Sequence, residues 1–161
     1  MQSVDTSADR PIPSVNEQIA ADHHAINAER SSLALLLRPE GLEDKDFEAW
    51  KLAALRRLRR FQATLLMHFD LEEVTAFKES VMAHAPHYAS RLTQLEEEHL
   101  KIASDLDHVI TLLKRTGGTE DPLIERLHLR LTGVLELLEN HEEAERELFQ
   151  SALYQDLGEG D

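Results

Sequence analysis

Four histidines lie on helical stripes at positions where a bundle helix would normally carry leucine, and this feature constrains the fold most strongly. Residues three or four apart share one face of a helix, and apolar side chains at that spacing mark the face that packs inward. The stripes are Ile19, His23, Ile26, Leu33 and Leu37; Ala54, Leu58, Phe61, Leu65, His68 and Glu72; Tyr88, Leu92, Leu95, His99, Ile102, Leu106, Val109 and Leu113; and Leu131, Val134, Leu138, His141, Glu145, Leu148 and Ala152. Four such stripes predict an all-α fold, an up-down-up-down antiparallel four-helix bundle.

Prolines and glycines separate the four stripes. Proline breaks a helix interior but is accepted in its first turn, and glycine commonly ends a helix. The predicted helices cover about 15–38, 44–81, 86–115 and 122–155. We therefore expect a flexible N-terminal tail over 1–14, a bundle over 15–155 and a frayed C-terminal tail over 156–161.

Composition excludes several classes of function. The chain has 161 residues, enough for one domain with one core, and a net charge of −14, which disfavours nucleic acid and anionic membrane surfaces as partners. Cysteine is absent, so disulfides, thiolate metal sites and cysteine nucleophiles are excluded. Neither a secretory signal nor an apolar membrane span is visible, and we expect a cytoplasmic protein.

Two of the stripe histidines are each followed by a glutamate four residues later, namely His68 by Glu72 and His141 by Glu145. Residues at this spacing project from the same helix face, so each pair offers an imidazole and a carboxylate to one interior point. An unpaired imidazole buried in an apolar interior costs about a few kcal/mol, and a carboxylate costs more. A bound cation would offset both costs.

The four histidines are predicted to lie at one depth. If the helices alternate in direction, His68, His99 and His141 each lie about 13 to 15 residues from the same end of the bundle, or about 20 Å at 1.5 Å per residue. His23 and His99 are each about 15 residues from the opposite end. The four imidazoles can therefore meet in one layer.

The predicted donor set points to two ions. Four imidazoles and two carboxylates are too many ligands for one tetrahedral zinc. They suit two first-row ions of octahedral preference, iron first, that are bridged by the carboxylates and by solvent. The predicted metal ligands are His23, His68, Glu72, His99, His141 and Glu145.

Some neighbouring residues have alternative interpretations. His24 could replace His23, although its own stripe is mostly polar. Glu96 and His99 form half of a ferritin-type Glu-x-x-His pattern, but no second copy exists, so we expect Glu96 to be a solvated charge. Five acidic residues could orient the ligand imidazoles from outside the centre, namely Asp22, Asp70, Glu73, Glu98 and Glu142.

Motifs on all four predicted helices resemble the hemerythrin-like (HHE cation-binding) family. They are Asp22-His23-His24-Ala25-Ile26; Leu66-Met67-His68-Phe69 with Glu72, Glu73 and Phe77; Leu95 with Glu98-His99 and Ile102; and His141 with Glu145, Leu148 and Phe149. The resemblance implies a four-helix bundle with a non-haem di-iron site that can meet O₂, NO or peroxide. It implies ligand roles for the same six residues.

The chain departs from the oxygen carriers of that family at two places. The carriers have a further histidine one turn before the ligand of the third helix, where this chain has Leu95. They also have an aspartate five residues after the ligand of the fourth helix, where this chain has Arg146, with Glu145 one residue earlier. One nitrogen donor is therefore missing, and reversible O₂ carriage is less strongly implied.

Three functions are compatible with the sequence. The first is a non-haem di-iron protein that binds, senses or responds to a small ligand (O₂, NO or peroxide) or to iron itself. The second is a metal-dependent enzyme that decomposes peroxide, and the third is a metal-free helical interaction module. Whether the protein is an enzyme stays open, and its protein partners are unknown.

Overall fold

The computed structural model describes residues 15–36, 42–74, 78–79, 82–83 and 85–158. These residues contain four long helices, α1 (Val15–Leu36), α2 (Phe47–Val74), α3 (Ala89–Arg115) and α4 (Pro122–Gly158), and no strand. Short 3₁₀ turns, Asp44–Asp46 and Pro86–Tyr88, precede α2 and α3. The prediction of an all-α four-helix bundle is thereby confirmed. The predicted tail over 1–14 lies outside the described residues, and of the predicted tail over 156–161 only the helical residues 156–158 are described.

The connection between α3 and α4 has the chemistry that its sequence predicts. Asp121 accepts hydrogen bonds from the backbone N–H groups of Leu123, at 2.9 Å, and Gly117, at 2.8 Å. These bonds lower the pKa of Asp121 because they favour its charged form. Pro122 follows as the first residue of α4, where its missing N–H is no loss. Asp121 thus caps α4 and fixes the path of the loop before it.

The apolar stripes form one core that runs along the bundle. Leu58, Ile102 and Leu106 are fully buried, and Leu131 is 1% exposed. Each helix packs against the next one along the chain, and α1 packs also against α4. The core therefore holds all four helices in fixed positions around its axis.

Polar contacts at the edges of the core set the pairing of α1 with α2. Trp50 Nε1 donates to the carbonyl of Leu36 at 3.1 Å, and His68 Nδ1 lies 3.2 Å from a carboxylate oxygen of Asp22. The start of α2 is thus beside the end of α1, and a later part of α2 is beside an earlier part of α1.

The contacts between α1 and α4 follow the same order. The guanidinium group of Arg30 lies 2.7 Å from the carboxylate of Glu139, and His23 Nε2 lies 3.2 Å from Glu145. Arg30 lies between Ile26 and Leu33 on the inward stripe of α1. Its charge is accommodated there because the long side chain reaches the edge of the bundle and pairs with Glu139.

Among the described residues, no helix is both long and apolar enough to cross a membrane.

The packing predicts a sharp difference between two leucines of α3. Leu106→Ala should lower the free energy of unfolding by about 2 to 5 kcal/mol, because it leaves a cavity in the core. Leu100, which is 74% exposed, is the matched control, and Leu100→Ala should change that free energy by about 0.5 kcal/mol or less. Urea denaturation measures both. Equal losses for the two variants would contradict the assignment of the buried face.

Candidate metal centre

The four stripe histidines come together in one layer of the bundle. The ring centroids of His23 and His68 are 4.7 Å apart, and those of His99 and His141 are also 4.7 Å apart. His68, His99 and His141 are at most 5% exposed, whereas the His23 side chain is 19% exposed. The prediction of a common depth is confirmed.

Glu72 of α2 divides its two carboxylate oxygens between the two pairs of histidines. Its Oε1 atom lies 3.2 Å from His23 Nε2 and in close contact with His68 Nε2. Its Oε2 atom lies 3.2 Å from His99 Nε2. One carboxylate therefore faces both halves of the layer.

Glu145 of α4 divides its oxygens in the same way. Its Oε2 atom lies 3.2 Å from His23 Nε2. Its Oε1 atom lies 3.2 Å from His99 Nε2 and 2.5 Å from His141 Nε2. The two glutamates thus connect the same two pairs of histidines from opposite helices.

These contacts define two groups of four donors that share both carboxylates. The groups are His23, His68, Glu72 and Glu145, and Glu72, His99, His141 and Glu145. Within each group the ligand atoms all lie within 4.8 Å of one another, so each group could hold a metal ion. The structure brings together all six residues that the sequence predicts as ligands.

Four contacts between histidine nitrogens and glutamate oxygens are 3.2 Å long. This separation is within hydrogen-bond range, and it also suits two atoms that are each bound about 2.1 Å from a common ion, which lie about 3 to 4 Å apart. The Nε2 atoms of His68 and His141 are buried and have no hydrogen-bond partner among the described residues, although each touches the glutamate four residues later. Each of these two nitrogens could therefore bind an ion together with the neighbouring glutamate.

Three carboxylates outside the centre hold three of the imidazoles by their other nitrogen. Asp22 lies 3.2 Å from His68 Nδ1, Glu73 lies 2.9 Å from His99 Nδ1, and Glu98 lies 2.8 Å from His141 Nδ1. Such contacts fix the orientation of the ring and leave Nε2 to face the centre. Three of the five acidic residues predicted for this role have it.

The other two acidic residues do not contact a ligand imidazole in the described part of the chain. Asp70 is exposed. Glu142 is only 3% exposed, and its Oε1 atom has no hydrogen-bond partner there. Burial raises the pKa of Glu142, while the charges of His23 and Arg30 partly oppose that rise.

The buried carboxylates control the protonation of the imidazoles. Burial alone would lower the pKa of His23, but hydrogen bonds with Glu145 and Glu72 outweigh it and raise this pKa from 6.5 to about 10. The pKa of His99 is raised to about 10 for the same reasons. The pKa values of His68 and His141 are also raised.

The glutamates shift in the opposite direction. Burial alone would raise the pKa of Glu145, but its contacts with His141, His23 and His99 hold this pKa well below its usual value. The pKa of Glu72 is lowered by its histidine partners as well. In metal-free protein at neutral pH, imidazolium groups therefore neutralise the two carboxylates, and metal ions would have to displace those protons.

Apolar side chains enclose the layer on the core side. Phe69 stacks on His99, with ring centroids 4.0 Å apart and planes inclined by 10°, and its edge faces His141. Leu65 and Ile102 are also buried.

Two pockets of different size reach the centre. One, of about 280 Å³, is lined by Ile19, Ala20, His23, Glu72, Glu145, Arg146 and Phe149. The other has only about 20 Å³ and is lined by Glu72, Glu73, Lys78, Leu92, Leu95, Glu96, His99 and Glu145. Arg146 and Phe149 are both visible in the sequence motifs, but the pocket between α1 and α4 could not be predicted because it depends on tertiary packing.

The remaining histidines stay outside the centre. Three of them are exposed and belong to neither donor group, namely His24, His87 and His108. His128 is partly buried but lies 13 residues before His141 on α4, about 20 Å along the helix. His84 lies outside the described residues.

Glu96 does not form a ferritin-type site with His99. Its carboxylate lies 2.6 Å from the ammonium group of Lys78, at the edge of the smaller pocket. Glu96 is thus a paired charge rather than the solvated one that the sequence suggests.

Comparisons of the chain with protein-family models, with curated proteins and with solved structures found no match.

The raised histidine pKa values predict how the metal-free protein responds to pH. The pKa of His23 and His99 is about 10 in the folded protein and about 6.5 in the unfolded chain. The stability that their ion pairs provide is therefore complete below about pH 6.5 and is lost as the pH rises toward 10. The free energy of unfolding, measured by urea denaturation after metal removal, should fall over this range.

A variant separates this effect from general alkaline denaturation. His99→Gln removes one of the titrating groups and should make the decrease between pH 6.5 and 10 smaller. Metal-free wild-type protein whose stability stays constant or increases over this range would show that the glutamates do not stabilise the protonated imidazoles.

Proposed function

We propose that this chain binds two first-row metal ions, with iron as the physiological metal, in an up-down-up-down antiparallel bundle of the hemerythrin-like type. The pair of ions binds, senses or responds to a small ligand such as O₂, NO or peroxide, or to iron supply. One observation carries the proposal: Glu72 and Glu145 each turn one oxygen to one pair of histidines and the second oxygen to the other pair.

The order of the interhelical contacts supports the antiparallel arrangement. Residue numbers increase along one helix and decrease along its neighbour, both between α1 and α2 and between α1 and α4. The contacts of α2 with α3 have the same order, since Gln62 meets Asp107 and Glu73 meets His99. Short connections between long helices lead to this topology.

Two ions account for the donor set better than one. A single ion could use only one group of four donors, and two histidines would stay buried in contact with carboxylates that already serve that ion. Two divalent ions would share Glu72 and Glu145 as bridges, and each would receive two imidazole nitrogens and two carboxylate oxygens. Nitrogen and oxygen donors without sulfur suit iron and manganese.

The residues of the chain would hold and protect such a centre. Asp22, Glu73 and Glu98 fix three imidazoles with Nε2 toward the ions. The bound iron would supply redox chemistry and open coordination positions for an exogenous ligand. Because four protein donors leave an octahedral ion incomplete, both solvent and a small ligand can be accommodated.

A metal-dependent peroxide-decomposing activity is the second candidate. Leu95 stands where the oxygen carriers of the hemerythrin-like family have a further histidine, which would be the fifth imidazole of the centre and the third in the half that contains His99 and His141. The space beside it, about 20 Å³, is large enough for roughly one water molecule. An ion in this half would thus have an accessible position for a solvent-sized molecule.

Metal analysis tests the proposal. Protein loaded with Fe²⁺ without oxygen should contain two ions per chain, and exposure to air or peroxide should produce ligand-to-metal absorption in the near ultraviolet. Glu72→Gln should lower both the metal content and the affinity, because it removes the negative charge between the two halves and replaces one carboxylate oxygen with an amide nitrogen that does not ligate. Elemental analysis and absorption spectroscopy provide the measurements.

Glu96→Gln is the matched control, since it removes a neighbouring carboxylate that pairs with Lys78 and is not a predicted ligand. It should retain two ions. A wild-type chain that folds and binds no metal, or one whose metal content is unchanged by Glu72→Gln, would refute the proposal and favour a metal-free interaction module.

Leu95→His tests the second candidate. The new imidazole would supply the missing donor and fill the space beside His99. The rate of oxygen evolution from hydrogen peroxide, measured with an oxygen electrode, should then fall while two ions remain bound. A peroxide-decomposing activity that is undiminished by Leu95→His, or that survives metal removal, would rule out chemistry at this position.

A further inference from the structure

The two halves of the candidate centre are related by a similar placement of residues on alternate helices. His23 on α1 corresponds to His99 on α3, and His68 on α2 corresponds to His141 on α4. The residue three positions before the histidine is Ala20 in α1, before His23, and Glu96 in α3, before His99. The equivalence allows the two pockets to be compared residue by residue.

The two pockets differ first in size. Where the smaller pocket has Glu96 held by Lys78, the larger pocket has only the methyl group of Ala20. The resulting volumes are about 20 Å³ and about 280 Å³. The first holds roughly one water molecule. The second has room for a small organic molecule.

The pockets differ also in charge. The residue five positions after His68 is Glu73, and the residue five positions after His141 is Arg146. Glu73 lines the smaller pocket and accepts from His99, whereas Arg146 lines the larger one. The larger pocket therefore has a guanidinium group where the smaller one has a carboxylate.

The guanidinium group of Arg146 is available for a ligand. Its ion pair is with Glu143, at 2.5 Å on the same helix, and both side chains are about half exposed. Exposed pairs of this kind contribute little to stability and exchange readily with other partners. Arg146 can thus turn toward an anion in the pocket without loss of a buried contact.

Apart from Arg146 and the donors, the lining of the larger pocket is apolar. Ile19, Ala20 and Phe149 form this part of the wall, while His23, Glu72 and Glu145 form the inner end. A ligand with one charged end and a short apolar body matches both parts of the pocket.

We propose that the larger pocket binds a small organic anion, such as a short carboxylate or an organic hydroperoxide anion, and that Arg146 selects it by charge. The anionic head would lie between Arg146 and the ions, and the apolar body would contact Ile19, Ala20 and Phe149. This inference rests on the proposed function, because the inner end of the larger pocket is the half of the centre that contains His23 and His68.

Binding of butyrate and of its neutral isostere butyramide tests the inference. Isothermal titration of the two-ion iron form should show tighter binding of butyrate. Arg146→Gln should weaken butyrate binding by about tenfold or more and leave butyramide nearly unchanged, since it removes one charge-assisted hydrogen bond. Arg146→Lys should restore part of the preference because it keeps the charge but not the planar geometry.

Two further variants control for indirect effects. Lys78→Gln removes the cation of the smaller pocket and should leave the preference for butyrate unchanged. Ala20→Phe should weaken the binding of both butyrate and butyramide, because the larger side chain fills the pocket, while two ions stay bound. Equal affinity of wild-type protein for both ligands, or a preference that survives Arg146→Gln, would overturn the inference. Failure of wild-type protein to bind two ions would instead refute the proposed function.

Discussion

Mutual neutralisation of buried charges is the interaction on which this structure depends. Four imidazoles and two carboxylates lie in one layer of a bundle whose other inward residues are almost all apolar. Unpaired, each of these groups would oppose folding, and a carboxylate would do so most strongly. Each imidazole contacts a carboxylate oxygen of Glu72 or Glu145, and three imidazoles contact a second carboxylate outside the layer. Either protons on the histidines or bound cations can complete the charge balance.

The helices supply the rigidity that this balance requires. The core stripes on either side of the layer fix the rotation of each helix, so that the side chains at one depth meet rather than pass each other. The i and i+4 spacing within α2 and α4 places imidazole and carboxylate side by side, while α1 and α3 each supply a single histidine. Because the two bridging residues come from helices on different sides of the layer, both halves of the site depend on the whole bundle.

The sequence predicts much of the fold and of the candidate site, because both follow from periodicity. A stripe with a period of three and four identifies which residues face inward, and the helix rise identifies their depth. This was enough to bring together the six predicted donors and to prefer His23 over the exposed His24.

Other features depend on the packing of one helix against another and could not be read from periodicity. The pairing of Asp22 with His68 joins residues 46 positions apart, and the sequence could say only that an acid was nearby. Arg30 finds its partner on α4, and Glu96 finds Lys78, through contacts that depend on which helices are neighbours. The difference in volume between the two pockets arises from side chains of three helices. For Glu142, buried with an unpaired oxygen, neither sequence nor packing gives a physical reason.

The most direct measurement is anomalous scattering at the iron absorption edge from crystals of the iron-loaded protein. Two peaks are expected, one among His23, His68, Glu72 and Glu145 and the other among Glu72, His99, His141 and Glu145, with both glutamates bridging. Iron-loaded crystals with no peak in this layer, or with one peak that leaves a pair of histidines unligated, would contradict the proposed two-ion centre.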